Sequence, residues 1–93
     1  MKINLQSLNF KASENLKEFV EEKVGKLSRY DDKIISADVK LFSDDGKNID
    51  NKICEIRLVV PGYDDFVKKN ATSYEEATSV AVEALQKIIR RKK

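Results

Sequence analysis

Histidine is absent from this chain of 93 residues, cysteine and proline occur once each, and glycine three times. Each scarcity excludes something. With no histidine and a single thiol, Cys54, neither the usual zinc shells nor a nucleophile paired with a histidine base can be assembled. A lone cysteine forms no internal disulfide, which makes a reducing cytoplasm the expected compartment. No glycine-rich phosphate loop is present. No apolar run approaches the roughly 18 residues of a membrane span. The opening MKINLQSLNF alternates instead of forming an apolar block, so no secretory signal is expected. The pairs Asp31-Asp32, Asp44-Asp45 and Asp64-Asp65 read as turn formers, because nothing in the sequence raises their pKa or completes a metal shell. No cofactor, metal or small-molecule substrate is expected, and the chain reads as a non-enzyme.

What is abundant is charge. Charged residues make up 37% of the chain and apolar residues 41%, which suits one small soluble domain over 1–93 with a single modest core. The net charge of +2 conceals an uneven distribution. Residues 1–65 hold 11 Lys and Arg against 13 Asp and Glu, while residues 66–93 hold 7 against 3. A mildly acidic body carries a basic last third.

The apolar rhythm predicts six elements. Lys2 to Ser7 alternates as a half-buried strand, and the phase shift to Leu8 and Phe10 marks a bulge or the strand's end. Ser13 caps a first helix whose face is Leu16, Phe19, Val20, Val24 and Leu27, ending near Arg29. Gly25 within it costs about 1 kcal/mol relative to alanine. A second strand points Ile35, Ala37, Val39 and Leu41 inward. Asp44-Asp45-Gly46 opens an exposed hairpin loop reaching Asn51. The third strand points Cys54, Ile56, Leu58 and Val60 inward until Pro61-Gly62 stops it, so Cys54 reads as a buried, inert thiol. A fourth strand is expected over about 66–70. Ser73 and Glu76 have capping-box spacing and open a second helix with a buried stripe of Ala77, Val80, Ala81, Ala84, Leu85 and Ile88. The order is β-α-β-β-β-α. An α+β two-layer sandwich follows, a four-stranded sheet with both helices on one face and the other face polar.

The basic residues are the remaining chemistry. On a helical wheel Lys87 and Arg91 lie one turn apart on the flank of the second helix's stripe, and Arg90 lies further round beside Glu83. In the first helix Lys26 is on the flank, while Lys23 falls within the apolar sector and must run its stem along core side chains, with Tyr30 at the same edge. Bases late in a helix are what its dipole favours by itself. Yet both helices finish in bases, and if they lie parallel those ends converge into a patch suited to a phosphate backbone. Lys68 and Lys69 either extend that patch or guard an edge strand.

Three stretches carry a family resemblance: MKINLQSLNFKASENLKEFVEEKVGKLSRYDDKI, NKICEIRLVVPG and SYEEATSVAVEALQKIIRRKK. In order and spacing they resemble the ribosome hibernation-promoting factors, the family of ribosome-associated translation inhibitors, in its short single-domain form. The resemblance implies the same β-α-β-β-β-α fold. It also implies binding to ribosomal RNA in the decoding region of the small ribosomal subunit, across the paths of messenger RNA and transfer RNA. Carried across residue by residue, Lys23, Lys26 and Arg29 match the bases of the first helix, and Lys87, Arg90, Arg91 and Lys92 match the basic end of the second. The chain departs from the pattern at Thr72 and Thr78, where many members are acidic, and at Glu83-Ala84, where a Lys-Leu pair is common. The extra C-terminal domain of long forms has no counterpart in the sequence.

The leading function is therefore a non-enzymatic block of translation in slow growth. A general RNA- or DNA-binding module is the alternative, and an adaptor using the open sheet face a third. Few side chains here are suited to reading base edges, so shape and phosphate contacts carry either nucleic-acid reading.

Overall fold

The computed structural model describes residues 1–44 and 49–92, with side chains through Arg91. The elements are β1 (Lys2–Ser7), α1 (Glu14–Gly25) continuing into a 3-10 turn (Lys26–Arg29), β2 (Ser36–Ser43), β3 (Lys52–Val60), β4 (Tyr63–Ala71) and α2 (Tyr74–Lys92). The expected turn at Asp45-Gly46 lies outside the described residues.

Local chemistry explains the boundaries. β1 stops because Asn9 turns the chain at φ 66°, a left-handed conformation that asparagine tolerates better than most residues. The Ser7 hydroxyl donates to the Phe10 carbonyl at 2.9 Å and closes that turn. The phase shift read from the sequence is therefore the strand's end. Ser13 caps α1, its hydroxyl oxygen accepting from Leu16 N–H at 3.1 Å. The helical path tightens to 3-10 after Gly25 and ends at Arg29, as the sequence predicts. Pro61 and Gly62 form a two-residue hairpin loop that pairs Val60 with Tyr63. Gly62 supplies the φ of 89° that a following β-branched or bulky residue could not easily adopt. That tight return starts β4 at Tyr63 rather than near Phe66, so Asp64 and Asp65 are strand residues and not turn formers.

The sheet order is β1-β2-β3-β4. β1 pairs parallel with β2, and the other two pairings are antiparallel. A parallel pair needs a crossover, which α1 provides. Alternation then sorts the residues. Ala37, Val39, Leu41, Cys54, Ile56, Leu58, Val60 and Val67 face the helices and are buried. The opposite face carries Asp38 opposite Arg57 and Lys40 opposite Glu55, with Glu55 also opposite Lys68. It is polar and open. α1 covers the inner face with Leu16, Val20 and Val24, joined by Leu27 from the 3-10 turn, and α2 with Ala77, Ala81, Val82, Leu85 and Ile89.

Three details differ from the sequence reading, the first being Phe19, which is half-buried and lies outside the core of Leu16, Val20 and Val24. Ile35 is 57% exposed and Ile34 fills the core in its place. Ile35 sits at the sheet's end, its N–H donating to Val59 O and its carbonyl accepting from Lys2 N–H, beyond the area the helices cover. The buried stripe of α2 is also rotated: Thr78, Val82 and Ile89 are buried, whereas Val80 is 38% exposed and Ala84 and Ile88 are half-buried. The apolar arc of α2 is wider than the surface available to bury it. α1 covers the Val82 side, but β4 is the edge strand, so among the described residues no further strand lies beneath Val80, Ala84 and Ile88.

Leu58 is fully buried, and Leu58→Ala should lower unfolding stability by about 2–5 kcal/mol in a urea titration. Gly25 has helical φ −59° and ψ −28°, and an added Cβ would meet Ile3 Cδ1 at an ordinary 3.9 Å. Gly25→Ala should therefore stabilise the protein by about 0.4–1 kcal/mol, read as a raised melting temperature.

Candidate nucleic-acid interface

Topology decides where the basic residues go. β1 and β4 run in the same direction, since two antiparallel steps from β2 restore it. Each is followed by a helix that returns along the sheet. The two helices consequently run parallel, side by side, with both C-termini at one end. The Arg90 guanidinium carbon lies 5.7 Å from the centroid of the Tyr30 ring, joining the last turn of α2 to the end of the 3-10 turn.

Between the helices is a groove of about 450 Å³ whose lining includes Lys23, Lys26, Lys87 and Arg90. Lys23 is half-buried, with its ammonium 5.6 Å from the centre of the half-buried Phe19 ring. Lys26 pairs loosely with Glu22 at 4.0 Å, and Lys87 with Glu83 at 3.8 Å. Pairs this exposed are worth about 0–1 kcal/mol, so both ammonium groups exchange readily to a phosphate. Arg90 is exposed and lines the groove together with Glu83, as the helical wheel expects, while also reaching the Tyr30 ring.

The structure does not bring all seven expected residues into this groove. Arg29 is exposed at the end of the 3-10 turn, outside the groove lining. Arg91 falls on the opposite flank of α2, facing β4. Lys92 ends α2, and its side chain lies outside the described residues. Arg91 shares that second groove with Lys69 and Lys68, the Lys68 ammonium lying 5.8 Å from the Phe42 ring on the open sheet face. The Lys-Lys dipeptide was visible in the sequence, but its place beside α2 depends on β4 being the edge.

The far end of α2 is structural. The Tyr74 ring stacks on Phe10 with centroids 4.6 Å apart. Ser73 accepts from Glu76 N–H at 3.1 Å, while the Glu76 carboxylate accepts from the Thr72 hydroxyl at 2.9 Å. Thr78 is fully buried, its hydroxyl donating to the Tyr74 carbonyl at 2.7 Å. Its oxygen also lies 3.7 Å from Cys54 Sγ. Burial pushes the Cys54 thiol up to about 11, against a smaller lowering by the Thr78 contact and a small further rise from Glu55. Among the described residues no His, Cys, Asp and Glu cluster is arranged to hold a metal ion, and no helix is long and apolar enough to cross a membrane.

The family model described as "Sigma 54 modulation protein / S30EA ribosomal protein" matches residues 3–93. The chain belongs to this family. That match and the quoted motifs agree, so the resemblance to ribosome hibernation-promoting factors rests on nearly every residue. Among solved structures, the N-terminal domain of Protein Y from Thermus thermophilus is 28% identical, with TM-score 0.84 and full coverage of both chains. A ribosomal subunit interface protein from Coxiella burnetii is 16% identical, also with TM-score 0.84, over 98% of this chain and 96% of that one, and attests the shared fold. No curated protein matches the sequence.

The thiol's burial is directly checkable. Cys54 should resist iodoacetamide at pH 8, since a pKa near 11 leaves about 100-fold less thiolate than an ordinary cysteine. Mass spectrometry should find it alkylated only after denaturation, and rapid native labelling would contradict its placement.

Proposed function

We propose that this protein binds the small ribosomal subunit in its decoding region and blocks translation by covering the messenger and transfer RNA paths. The observation that carries the reading is the convergence of two parallel helix C-termini, with Lys23, Lys26, Lys87 and Arg90 lining one groove. An extended ribose-phosphate backbone suits such a row of cations, because phosphate contacts position a protein without requiring base readout. Membership of a family described by a ribosomal protein, and likeness to a Protein Y domain, support the ribosome over an arbitrary nucleic acid. Arg29, Arg91 and Lys92 extend the contact surface beyond the groove. The role is that of a steric plug, with no turnover chemistry, and its setting is the cytoplasm.

Each phosphate-neutralising side chain adds about 0.7–0.9 to the slope of log affinity against log salt. Lys26→Ala, Lys87→Ala and Arg90→Ala combined should weaken co-sedimentation with small subunits and flatten that slope by about 2–3. Folding should weaken by about 1–3 kcal/mol, the summed scale of the helix-end charges, two exposed pairs and one ring contact, so binding is compared where the variant remains folded. Glu75→Gln, at the opposite end of α2, should leave binding unchanged. Unaltered subunit affinity in the triple variant across the salt series would reduce these bases to solvated helix ends. Binding to free RNA without binding to subunits would favour a general RNA-binding module.

A further inference from the structure

The second groove, between α2 and the unpaired edge of β4, is not accounted for by the cationic face between the helices. It measures about 570 Å³, and its lining holds Lys68, Lys69, Lys87 and Arg91 against the single carboxylate of Glu83. Its floor is apolar. Ile88 and the 38% exposed Val80 of α2 lie along it, and Phe66 at its rim is 52% exposed. Phe66 also borders a shallow depression on the open sheet face, where Arg57 is its cross-strand neighbour. The groove between the helices differs: no aromatic residue is in its lining, and the nearby Tyr30 and Phe19 rings are half-buried and already engaged by Arg90 and Lys23.

We propose that this groove takes a single-stranded segment of RNA, its phosphates on Lys69, Lys87 and Arg91 and one unpaired base against Phe66. Proteins that hold single strands combine a cationic track with a ring on which a base stacks. A duplex cannot use Phe66 in this way, because its bases are already stacked within the helix. α2 then stands as a ridge between two backbone tracks, with Lys87 on the crest reaching either side. The inference rests on the reading of this protein as an RNA binder, but it names a different RNA element and a different chemical contact. The Lys residues on β4 argue against the competing use of this edge, pairing with a strand of a second copy, since edge lysines oppose such pairing.

The test measures binding of the full chain to a fluorescein-labelled oligouridine, and to a blunt RNA duplex, by anisotropy across a salt series. Phe66→Ala should weaken oligouridine binding by about 5–100-fold while leaving the salt slope and the duplex affinity unchanged. Lys69→Ala should instead flatten the oligouridine slope by about 0.7. Phe66→Leu keeps apolar bulk without a ring and should behave like alanine, whereas Phe66→Tyr should bind like the parent and guard against a folding artefact. Oligouridine affinity within about twofold of the parent for Phe66→Ala, or an equal loss on the duplex, would overturn the proposal. So would light scattering in which Phe66→Ala dissociates a dimer of the parent, because the edge would then belong to a second copy. Small-subunit sedimentation on the same samples separates the two readings. Subunit binding with no Phe66 effect removes only the single-strand groove, and a Phe66 effect without subunit binding removes only the ribosomal assignment.

Discussion

A sheet whose core-forming residues all lie on one face is the constraint from which the rest follows. β3 sends Cys54, Ile56, Leu58 and Val60 to the same side as Ala37, Val39 and Leu41 of β2, and all of them are buried. The other side sets oppositely charged residues across from one another, Asp38 from Arg57 and Lys40 from Glu55, among a few apolar ones such as Phe42, Ile53 and Phe66. Only the apolar side gains by covering, because burial contributes about 25 cal/mol for each Å² of apolar surface removed from water. Both helices must lie there. Because each follows a strand of the same direction, they lie parallel and finish at the same end.

That arrangement creates an electrostatic demand. Each helix C-terminus carries about half a negative elementary charge, and two of them side by side repel one another and attract cations. Lys26, Arg29 and Arg90 answer that demand at about 0.3–1 kcal/mol each, and Lys87 stands about a turn further from the helix end. The same side chains, with ammonium and guanidinium groups held only by loose pairs at 3.8 and 4.0 Å and one ring contact, face solvent as a cationic row. The bland and the functional readings of the basic ends are thus not rivals at the level of structure. Stability accounts for the presence of cations at the helix ends. The helix dipole does not account for Lys68 and Lys69, which belong to the edge strand β4 and share a groove with Lys87 and Arg91; guarding that edge is their structural role.

Much of the fold was legible because it follows from short-range periodicity. The period-2 phase of β3 decided which side Leu58 takes, Ser13 and Ser73 marked the helix starts, and Pro61-Gly62 marked the end of β3, though not the immediate return into β4. What escaped the sequence depends on neighbours. Val80, Ala84 and Ile88 carry the same apolar signal as Ala81 and Leu85, and nothing local reveals that β4 is an edge. Thr78 escaped for the opposite reason: a polar residue reads as exposed, yet its hydroxyl is satisfied by the Tyr74 carbonyl one turn earlier and so can be buried. Arg90 meets Tyr30, whereas Arg91 faces β4. The wheel placed the bases on the helix but could not say which flank would face which neighbour.

Cryo-electron microscopy of the protein bound to purified small subunits tests the central claim most directly. The account predicts density in the decoding region with the α1–α2 groove against RNA backbone and the charge-paired sheet face turned away from it. A complex in which the open sheet face meets the RNA, or in which the protein sits away from the messenger and transfer RNA paths, would contradict it.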